Sequence, residues 1–335
     1  MWMNRIDRIG SYYQSLQQHI ARWSAWLACA MMEESATRLW RQNSGLGRGG
    51  VLMYQGVRMG MNAKEQWLEG MKNWQGDLSQ RMTDDVVEEA FWREHIRKHV
   101  IREQAAPHVK KIQTELLSLI EPGDHVLEIG PGMGTYSFAA AEKAARYTAV
   151  DSSQGMIGFL REEMERRGMA AATFVHAKWE EHTVSEQADI VFGVNCYYRM
   201  QQIDRALVEM NNAARRLAVI ALTSGPERPH LLAIHQELGC NIRFQRRDYI
   251  HLTNMLYELG IDANCRILDL ERTYHYEIEE QLVKENLKAI MDESYDRQAA
   301  KEILHRYVEP VADGGYRYTH RFKAALLYWR PEQLL

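Results

Sequence analysis

The chain has few of the features that anchor a protein in a membrane or cross-link a secreted one. Only 4 cysteines occur among its 335 residues, at Cys29, Cys196, Cys240 and Cys265, and no two form a C-x-x-C pair. This usage argues against a disulfide framework and a zinc site, and it favours reduced thiols in the cytoplasm. The most apolar N-terminal segment, Trp23 to Met32, is too short to span a bilayer, and we find no signal-peptide core with a cleavage site.

An excess of one sign of charge is also absent. The 41 basic and 45 acidic side chains leave a formal net charge of −4, and the basic ones do not form a block. A nucleic-acid partner, which a basic face would signal, is therefore not indicated. Hydrophobic residues make up 46% of the chain, enough for the core of one large domain with an appendage.

The N-terminal region shows helical periodicity. Apolar residues between Leu16 and Met31 recur every three or four positions, which predicts one face of an amphipathic helix. We therefore predict a helical extension over residues 1–82, acting as a lid, a dimer arm or a docking element, and a second domain over 83–335. A homodimer through the N-terminal helices is the candidate assembly.

Downstream of this extension, short apolar runs alternate with amphipathic stretches, which predicts a mostly parallel α/β sheet. The predicted strands cover 125–130, 146–151, 172–176, 188–195, 216–222, 263–270 and 320–329. The predicted helices lie near 84–104, 107–119, 135–145, 154–168, 203–215, 245–259 and 279–306. Helical insertions are expected near 223–260 and 271–310.

The most informative stretch is Val126 to Gly134, V-L-E-I-G-P-G-M-G, where an apolar strand enters a glycine turn. Glycine at a strand end permits backbone angles that a Cβ would forbid, and it lets a ligand approach the main chain. A dinucleotide loop requires G-x-G-x-x-G, but Thr135 occupies the sixth position here and the third glycine falls one residue early. The carboxylate of Glu128 would repel a pyrophosphate and would suit a cationic ligand. A second apolar run ends at Asp151, about 20 residues after the first glycine, which suits one βαβ step.

These residues carry a resemblance to a known family. V-L-E-I-G-P-G-M-G resembles motif I of the class I S-adenosylmethionine-dependent methyltransferases, and D-S-S-Q-G-M-I, from Asp151 to Ile157, resembles the motif that follows it. The resemblance implies a Rossmann-like, seven-stranded sheet whose last strand inserts antiparallel between the fifth and sixth. It also implies S-adenosylmethionine as cofactor and S-adenosylhomocysteine as product. Two interpretations stay open on the residues alone: an unrelated α/β domain and an NAD-dependent oxidoreductase.

The resemblance assigns one set of cofactor contacts to the glycine turn. It implies that Gly130, Gly132 and Gly134 form the loop that packs against the methionine part of the cofactor, through backbone N–H groups and the following helix N-terminus. It implies that Glu128 anchors the amino end of the cofactor, directly or through water.

A second set of contacts follows the next two strands. The resemblance implies that Asp151, with Ser152 beside it, accepts hydrogen bonds from the ribose hydroxyls, and that Met156 lies against the adenine ring. A purely structural core methionine is the alternative for Met156. Lys178 stands where many relatives have an aspartate, so backbone groups of Lys178 and Trp179 are expected to serve instead, with the Trp179 ring available for stacking.

The end of the fourth strand is expected to meet both the methyl group and the acceptor. Asn195 and Tyr198 there resemble the first and fourth positions of the N-P-P-Y motif of amino-methylating relatives, without its two prolines. Tyr198 is the first candidate for the catalytic pocket wall, and Asn195 is the second and also a candidate cofactor contact. His176, His230 and Tyr197 are the candidate bases.

Together these features predict a methyltransferase that acts on a small organic acceptor by in-line transfer. Oxygen, nitrogen and carbon all stay open as the accepting atom, and alignment of the reactants is the main task of the protein. No metal is called for. The alternative is a regulatory or assembly subunit that binds S-adenosylmethionine or S-adenosylhomocysteine without turning it over, since fold and cofactor do not by themselves establish an activity.

Overall fold

The computed structural model describes residues 62–73, 76–98, 106–169, 171–243, 248–312, 314–332 and 334. The chain divides into two compact units, Met1–Gly60 and Met61–Leu335, and the first lies outside the described residues. The amphipathic helix predicted between Leu16 and Met31 therefore lies outside them as well.

Helices and strands alternate along the described chain. The helices are α1 (Ala63–Glu69), α2 (Gln80–Thr83), α3 (Asp85–Lys98), α4 (Pro107–Ser118), α5 (Ser137–Lys143), α6 (Gln154–Arg166), α7 (Ile203–Ala213), α8 (Pro229–Leu238), α9 (Asp248–Glu258), α10 (Glu279–Leu287) and α11 (Arg297–His305). The strands are β1 (His125–Ile129), β2 (Arg146–Asp151), β3 (Thr173–His176), β4 (Ala188–Val194), β5 (Ala214–Ser224), β6 (Asn264–Tyr276), β7 (Glu309–Pro310) and β8 (Tyr316–Trp329). Short 3-10 turns follow β3 at Trp179–Glu181 and β4 at Tyr197–Arg199.

The strands of the described chain form one sheet in the order β3-β2-β1-β4-β5-β8-β6, with β7 paired to β8 off this path. Strands β1 to β5 are parallel, and β8 lies antiparallel between β5 and β6. The predicted Rossmann-like sheet, with its last strand inserted antiparallel beside the fifth, is therefore confirmed. The two-residue strand β7 is an addition that the sequence did not predict.

The two faces of the sheet carry separate apolar cores. Successive side chains of a strand point to opposite faces, so Leu127 and Ile129 of β1 pack in one core and Val126 packs in the other. Burial on both faces explains why the runs that form β1 and β4 are almost continuously apolar. The parallel strands therefore leave their carboxyl ends, and the loops that follow them, as the natural place for a ligand.

A third apolar core lies beside the end of β6 and the beginning of β8, around Tyr276 and Tyr318. Helices α8, α10 and α11 supply most of its other side chains. Helix α8 lies in the expected insertion but was not predicted as a helix. Pro229 in its first turn and Gly239 after its end, at φ +68°, are the local signals that mark it.

The single helix predicted over 279–306 is wrong. Helix α10 ends at Leu287, and α11 begins only at Arg297. The side chain of Asp296 accepts a hydrogen bond from the Ala299 N–H at 2.9 Å, which makes it an N-cap that starts a new helix.

The segment before the sheet packs closely within the larger unit. Trp67 of α1 is fully buried, and its indole N–H donates a hydrogen bond to the Met200 carbonyl at 3.0 Å. Asp84 caps α3, because its carboxylate accepts a hydrogen bond from the Val86 N–H at 2.9 Å. The role of residues 1–82 as lid, dimer arm or docking element stays a prediction. Among the described helices, none combines the length and the apolar character that a bilayer crossing requires.

Candidate active site

One large cleft, of about 1300 Å³, lies at the carboxyl ends of β1, β2 and β4. The loop after each of these strands contributes to its lining, as do the start of α6 and the chain after β3. Helix α3 supplies the opposite wall. A single small-molecule pocket usually measures about 300–1,000 Å³, so this cleft has room for more than one small ligand.

The three glycines of the turn after β1 have different surroundings. All three have positive φ angles, of 59° at Gly130, 53° at Gly132 and 76° at Gly134. A Cβ at Gly132 would meet nothing within 4 Å, so its backbone borders open space in the cleft. A Cβ at Gly134 would instead lie 2.6 Å from the Phe138 ring, and Gly134 does not line the cleft. Gly134 therefore permits close packing of helix and sheet, whereas Gly130 and Gly132 border the ligand space.

Glu128 is a buried carboxylate at the base of the cleft, with 2% of its surface exposed. The Tyr147 hydroxyl donates a hydrogen bond to its Oε2 at 2.5 Å. Burial raises the pKa of Glu128 to about 7, although this hydrogen bond acts in the opposite direction. The carboxyl group is therefore poised to ionise when a cation comes near.

Asp151 ends β2 and faces the same space. Its Oδ1 accepts a hydrogen bond from the Ser153 N–H at 2.8 Å, and its Oδ2 accepts a longer one from the Gly132 N–H at 3.4 Å. Burial raises the pKa of Asp151 against the effect of these two donors. Ser152 lines the cleft beside it, and the Ser152 carbonyl accepts a hydrogen bond from His176.

Three more of the predicted cofactor contacts also line the cleft, in different ways. Met156 is 1% exposed, and its N–H is held by the Ser153 hydroxyl at 3.2 Å. Trp179 is 2% exposed, and its indole N–H donates to the Ala206 carbonyl at 2.9 Å, which ties the ring into the core. The ammonium of Lys178 lies 2.7 Å from a carboxylate oxygen of Asp85, which leaves mainly its backbone for a ligand.

Helix α3 covers the cleft. The sequence predicted this helix but did not place it at the site. Its Glu89 carboxylate accepts hydrogen bonds from the Ser153 hydroxyl at 2.7 Å and from the Gly155 N–H at 3.0 Å. These bonds fasten α3 to the start of α6, next to the expected ribose site. In the sequence, Glu89 is one of several charged residues of a predicted helix, so no local signal marks this contact.

A second carboxylate of α3, Glu88, joins two arginines at the end of the cleft next to β4, where the acceptor is expected. Its Oε2 lies 2.6 Å from Arg81 Nε and 2.5 Å from Arg199 Nη1. The Trp92 indole N–H donates to Glu88 Oε1 at 2.7 Å. All four side chains line the cleft. None of them was predicted as a site residue.

The two tyrosines after β4 lie in different surroundings, one in the core and one in the cleft. Tyr197 is fully buried, its hydroxyl lies 3.3 Å from the Met210 sulfur, and it does not line the cleft. Tyr198 lines the cleft and is 41% exposed, with the Arg199 guanidinium 5.5 Å from its ring centroid. Asn195 also lines the cleft and adopts a φ of +54°.

The three candidate bases are not brought together. His176 lines the cleft, but its Nε2 lies 3.0 Å from the Ser152 carbonyl. His230 is buried in the third core region, between the Tyr318 hydroxyl and the Asn286 carbonyl, each at 3.0 Å. Burial lowers the pKa of His230 to about 4. Neither His230 nor Tyr197 borders the cleft, so neither is placed to take a proton there.

Comparison with known proteins gives a family match and several partial relatives. Residues 126–216 match a family model described as a methyltransferase domain. An uncharacterized protein of Haemophilus influenzae is 26% identical over 234 residues, which are 64% of this chain and 79% of that protein. Ribosomal RNA small subunit methyltransferase A of Prosthecochloris aestuarii is 27% identical over 136 residues, which are 37% of this chain and 51% of the enzyme. The chain thus spans about half the length of this second relative.

Similar solved structures include two methyltransferases. Magnesium protoporphyrin IX methyltransferase from Synechocystis, solved with S-adenosylmethionine, is 12% identical with a TM-score of 0.43, and the match covers 76% of this chain and 99% of that one. N-methyltransferase NodS from Bradyrhizobium japonicum, solved with S-adenosylhomocysteine, is 13% identical with a TM-score of 0.40, covering 72% and 99%. Similarity at this level does not identify the acceptor of this chain.

Proposed function

We propose that this chain, whose residues 126–216 match the methyltransferase-domain family model, transfers the methyl group of S-adenosylmethionine to a small organic acceptor. The family match confirms the resemblance carried by the glycine turn and by the segment that begins at Asp151. S-adenosylmethionine is the cofactor of that family. The observation that carries the proposal is a single cleft that unites the glycine turn, the acid at the end of β2 and the end of β4.

The residues of the cleft fit this cofactor. Gly132 offers backbone next to open space, where a Cβ would meet no atom within 4 Å. Asp151 keeps lone pairs for ribose hydroxyls, since only one short hydrogen bond and one long one occupy its carboxylate. Glu128 offers a buried carboxyl group to an ammonium or a sulfonium, and Met156 offers an apolar surface to the adenine ring.

When bound, the cofactor supplies a methyl group that is already activated on a sulfonium, so the chain has mainly to align the reactants and exclude water. Such alignment can contribute about 7–11 kcal/mol to lowering the barrier. Helix α3 is held beside the cleft by the contacts of Glu89 with Ser153 and of Asp85 with Lys178, a position from which it can limit the access of water. The ring of Tyr198 presents a π face that favours a nearby cationic centre.

A small acceptor fits the charges around the cleft better than a nucleic acid does. Among the described residues that line it, each lysine and arginine is paired with a carboxylate of α3. These cations are Arg81, Arg93, Lys178 and Arg199. Phosphate binding along a nucleic-acid backbone needs a row of several uncompensated cations, whereas these four are paired and only the group of Arg81, Glu88 and Arg199 keeps one positive charge. Methylation of an RNA amine, suggested only by the partial ribosomal RNA methyltransferase relatives, is the second candidate.

The experiment is transfer of a tritiated methyl group from S-adenosylmethionine. The protein is incubated in parallel with a bacterial small-molecule extract and with deproteinised ribosomal RNA. We expect label in small products, lost in Asp151→Ala and retained in the matched exposed-site variant Asp262→Ala. Label in RNA alone would favour the second candidate, and cofactor binding without any transfer would favour a non-catalytic binding subunit.

Location and assembly are further parts of the proposal. Cys196, Cys240 and Cys265 carry free thiols, the form that a reducing compartment maintains, and this supports a cytoplasmic location. A homodimer through the N-terminal helices stays a prediction. Sedimentation of the full chain and of a chain that begins at residue 61 would test it, with a smaller assembly expected for the shorter chain.

A further inference from the structure

The side chain of Asn195 is held in one orientation at the edge of the cleft. Asn195 follows β4 with φ at +54°, a left-handed conformation in which asparagine is one of the better tolerated residues. Its N–H donates a hydrogen bond to the Ala221 carbonyl at 2.9 Å, which extends the pairing of β4 and β5 by one residue. The backbone that carries this side chain is therefore fixed by the sheet.

Both lone pairs of the Asn195 amide oxygen are already used. Oδ1 accepts a hydrogen bond from the Thr223 N–H at 2.8 Å and another from the Thr223 hydroxyl at 3.1 Å. A backbone N–H can only donate, so the amide atom that faces it must be the oxygen. An amide oxygen has two lone pairs, and Thr223 occupies both.

Only the Nδ2 group of Asn195 is left for a ligand. No described residue accepts a hydrogen bond from it, and Asn195 lines the cleft whereas Thr223 does not. We propose, on the basis of the proposed function, that Asn195 donates a hydrogen bond to the acceptor, and that the methyl group is transferred to an oxygen of a carboxylate or phenolate rather than to an amine. Thr223 is then a positioning residue, because it acts through Asn195.

The charge of the acceptor end supports an anionic acceptor. Arg81 and Arg199 share the single carboxylate of Glu88, which leaves this group of three with one net positive charge. In addition, Arg199 Nε is buried and has no hydrogen-bond partner in the described structure. A carboxylate or phenolate would compensate this charge, whereas a protonated amine would add to it.

The transfer balances for an oxyanion without a base. A lone pair of the acceptor oxygen forms the new O–C bond to the methyl carbon, and the electron pair of the breaking C–S bond stays on sulfur. The negative charge of the oxyanion and the positive charge of the sulfonium both disappear, and no proton has to leave. A protonated amine would have to lose a proton before its lone pair could attack, and the N–H groups of the amine would need a hydrogen-bond acceptor, which the committed oxygen of Asn195 does not provide.

The first test identifies the methylated atom. The protein is incubated with S-adenosylmethionine carrying a carbon-13 methyl group, and with two matched pairs of probes: benzoate with benzylamine, and phenol with aniline. A bacterial small-molecule extract is tested alongside. The carbon-13 shift of each product separates O-methyl from N-methyl groups. Labelled O-methyl products are expected, whereas N-methyl products would overturn this inference and leave the proposed function standing. Absence of any labelled product would overturn the proposed function and this inference with it.

The second test asks whether Thr223 sets the preference. Thr223→Val removes the hydroxyl donor at nearly constant size, and Thr223→Ser is the matched control that keeps it. We expect the ratio of O-methylation to N-methylation to fall about tenfold in Thr223→Val and to be retained in Thr223→Ser. Thermal unfolding curves check that both variants are folded. An unchanged ratio in Thr223→Val would overturn the role of Thr223.

Binding gives a readout that does not depend on turnover. The side-chain NH₂ signals of Asn195 are assigned by their loss in Asn195→Asp and followed in nitrogen–proton spectra. Addition of S-adenosylhomocysteine followed by benzoate is expected to shift them at the benzoate step. A shift at the first step alone would show that Nδ2 serves the cofactor, which would overturn the inference.

Discussion

The carboxylate of Glu89 on α3 accepts a hydrogen bond from the Ser153 hydroxyl at 2.7 Å, across the mouth of the cleft. The same hydroxyl accepts a hydrogen bond from the Met156 N–H at 3.2 Å, so it also caps α6. Burial opposes ionisation of Glu89, but hydrogen bonds from Arg93, Ser153 and the Gly155 N–H lower its pKa overall. One charged group therefore joins the covering helix to the turn that holds Asp151.

Loss of this contact should weaken cofactor binding. In Glu89→Ala, two hydrogen bonds to a charged group disappear, and α3 is less firmly held over the cleft. We expect the Kd for S-adenosylmethionine to rise about tenfold, as measured by calorimetric titration. Glu94→Ala, on the same helix but paired among the described residues with Arg97 and Lys98, is the matched control and should bind normally. Equal affinities in the two variants would show that α3 does not hold the cofactor.

Cofactor binding should depend on pH through Glu128. Its pKa is raised to about 7, so below pH 7 the carboxyl group is mostly neutral and above pH 7 it is mostly ionised. A cationic ligand favours the ionised form, and the Kd for S-adenosylmethionine should therefore rise as pH falls from 8 to 6, by up to about tenfold per pH unit.

The matched variant for this pH dependence is Glu128→Gln, which has no charge to gain. Its affinity should be lower than that of the native protein at pH 8 and nearly constant between pH 6 and pH 8. Calorimetric titrations with S-adenosylmethionine in buffers of different ionisation enthalpy measure the protons released on binding. The native protein should release protons, and Glu128→Gln should not. A steep pH dependence that persists in Glu128→Gln would assign it to another group.

Alanine at two of the glycines should separate folding from binding. Gly134→Ala places a methyl group 2.6 Å from the Phe138 ring at a φ of +76°, and it should lower the free energy of unfolding by about 2–4 kcal/mol. Gly132→Ala meets no atom and should cost only the strain of its backbone, about 1–2 kcal/mol. Thermal unfolding and calorimetric titration should show the larger stability loss at Gly134 and the larger affinity loss at Gly132. The reverse order would contradict this division of roles.

The two tyrosines after β4 should behave in opposite ways. Tyr197→Ala removes a fully buried ring and should lower the free energy of unfolding by about 3–5 kcal/mol. Tyr198→Ala removes a ring that is 41% exposed in the cleft, and it should leave stability within about 0.5 kcal/mol. It should lower kcat about tenfold in the methyl-transfer assay, through the loss of a π face near the cation. Full activity in a folded Tyr198→Ala protein would remove Tyr198 from the site.

Local signals in the sequence were enough to predict the first part of the sheet. Apolar runs, the glycine turn and Asp151 predicted β1 to β5 and the ligand edge, because parallel strands must be buried and their carboxyl ends must lie together. The place of β8 between β5 and β6 came only from the family resemblance, since pairing of distant strands leaves no mark in either strand alone.

The role of helix α3 as a wall of the cleft could not be predicted from the sequence. Glu88 and Glu89 look like solvated acids on a helix, and their partners Arg199 and Ser153 lie more than sixty residues away. The same holds for Thr223, whose contact with Asn195 depends on the register of β4 and β5. The motif positions mark where a ligand goes, whereas the tertiary contacts decide which atoms face it.

The central claim is that this cleft binds S-adenosylmethionine, and calorimetric titration tests it most directly. The native protein and Asp151→Ala are titrated with S-adenosylmethionine, S-adenosylhomocysteine and NAD. The account predicts that both adenosyl ligands bind the native protein, that Asp151→Ala weakens both at least about tenfold, and that NAD does not bind. Binding of NAD alone, or adenosyl-ligand affinity that is unchanged in a folded Asp151→Ala protein, would contradict it.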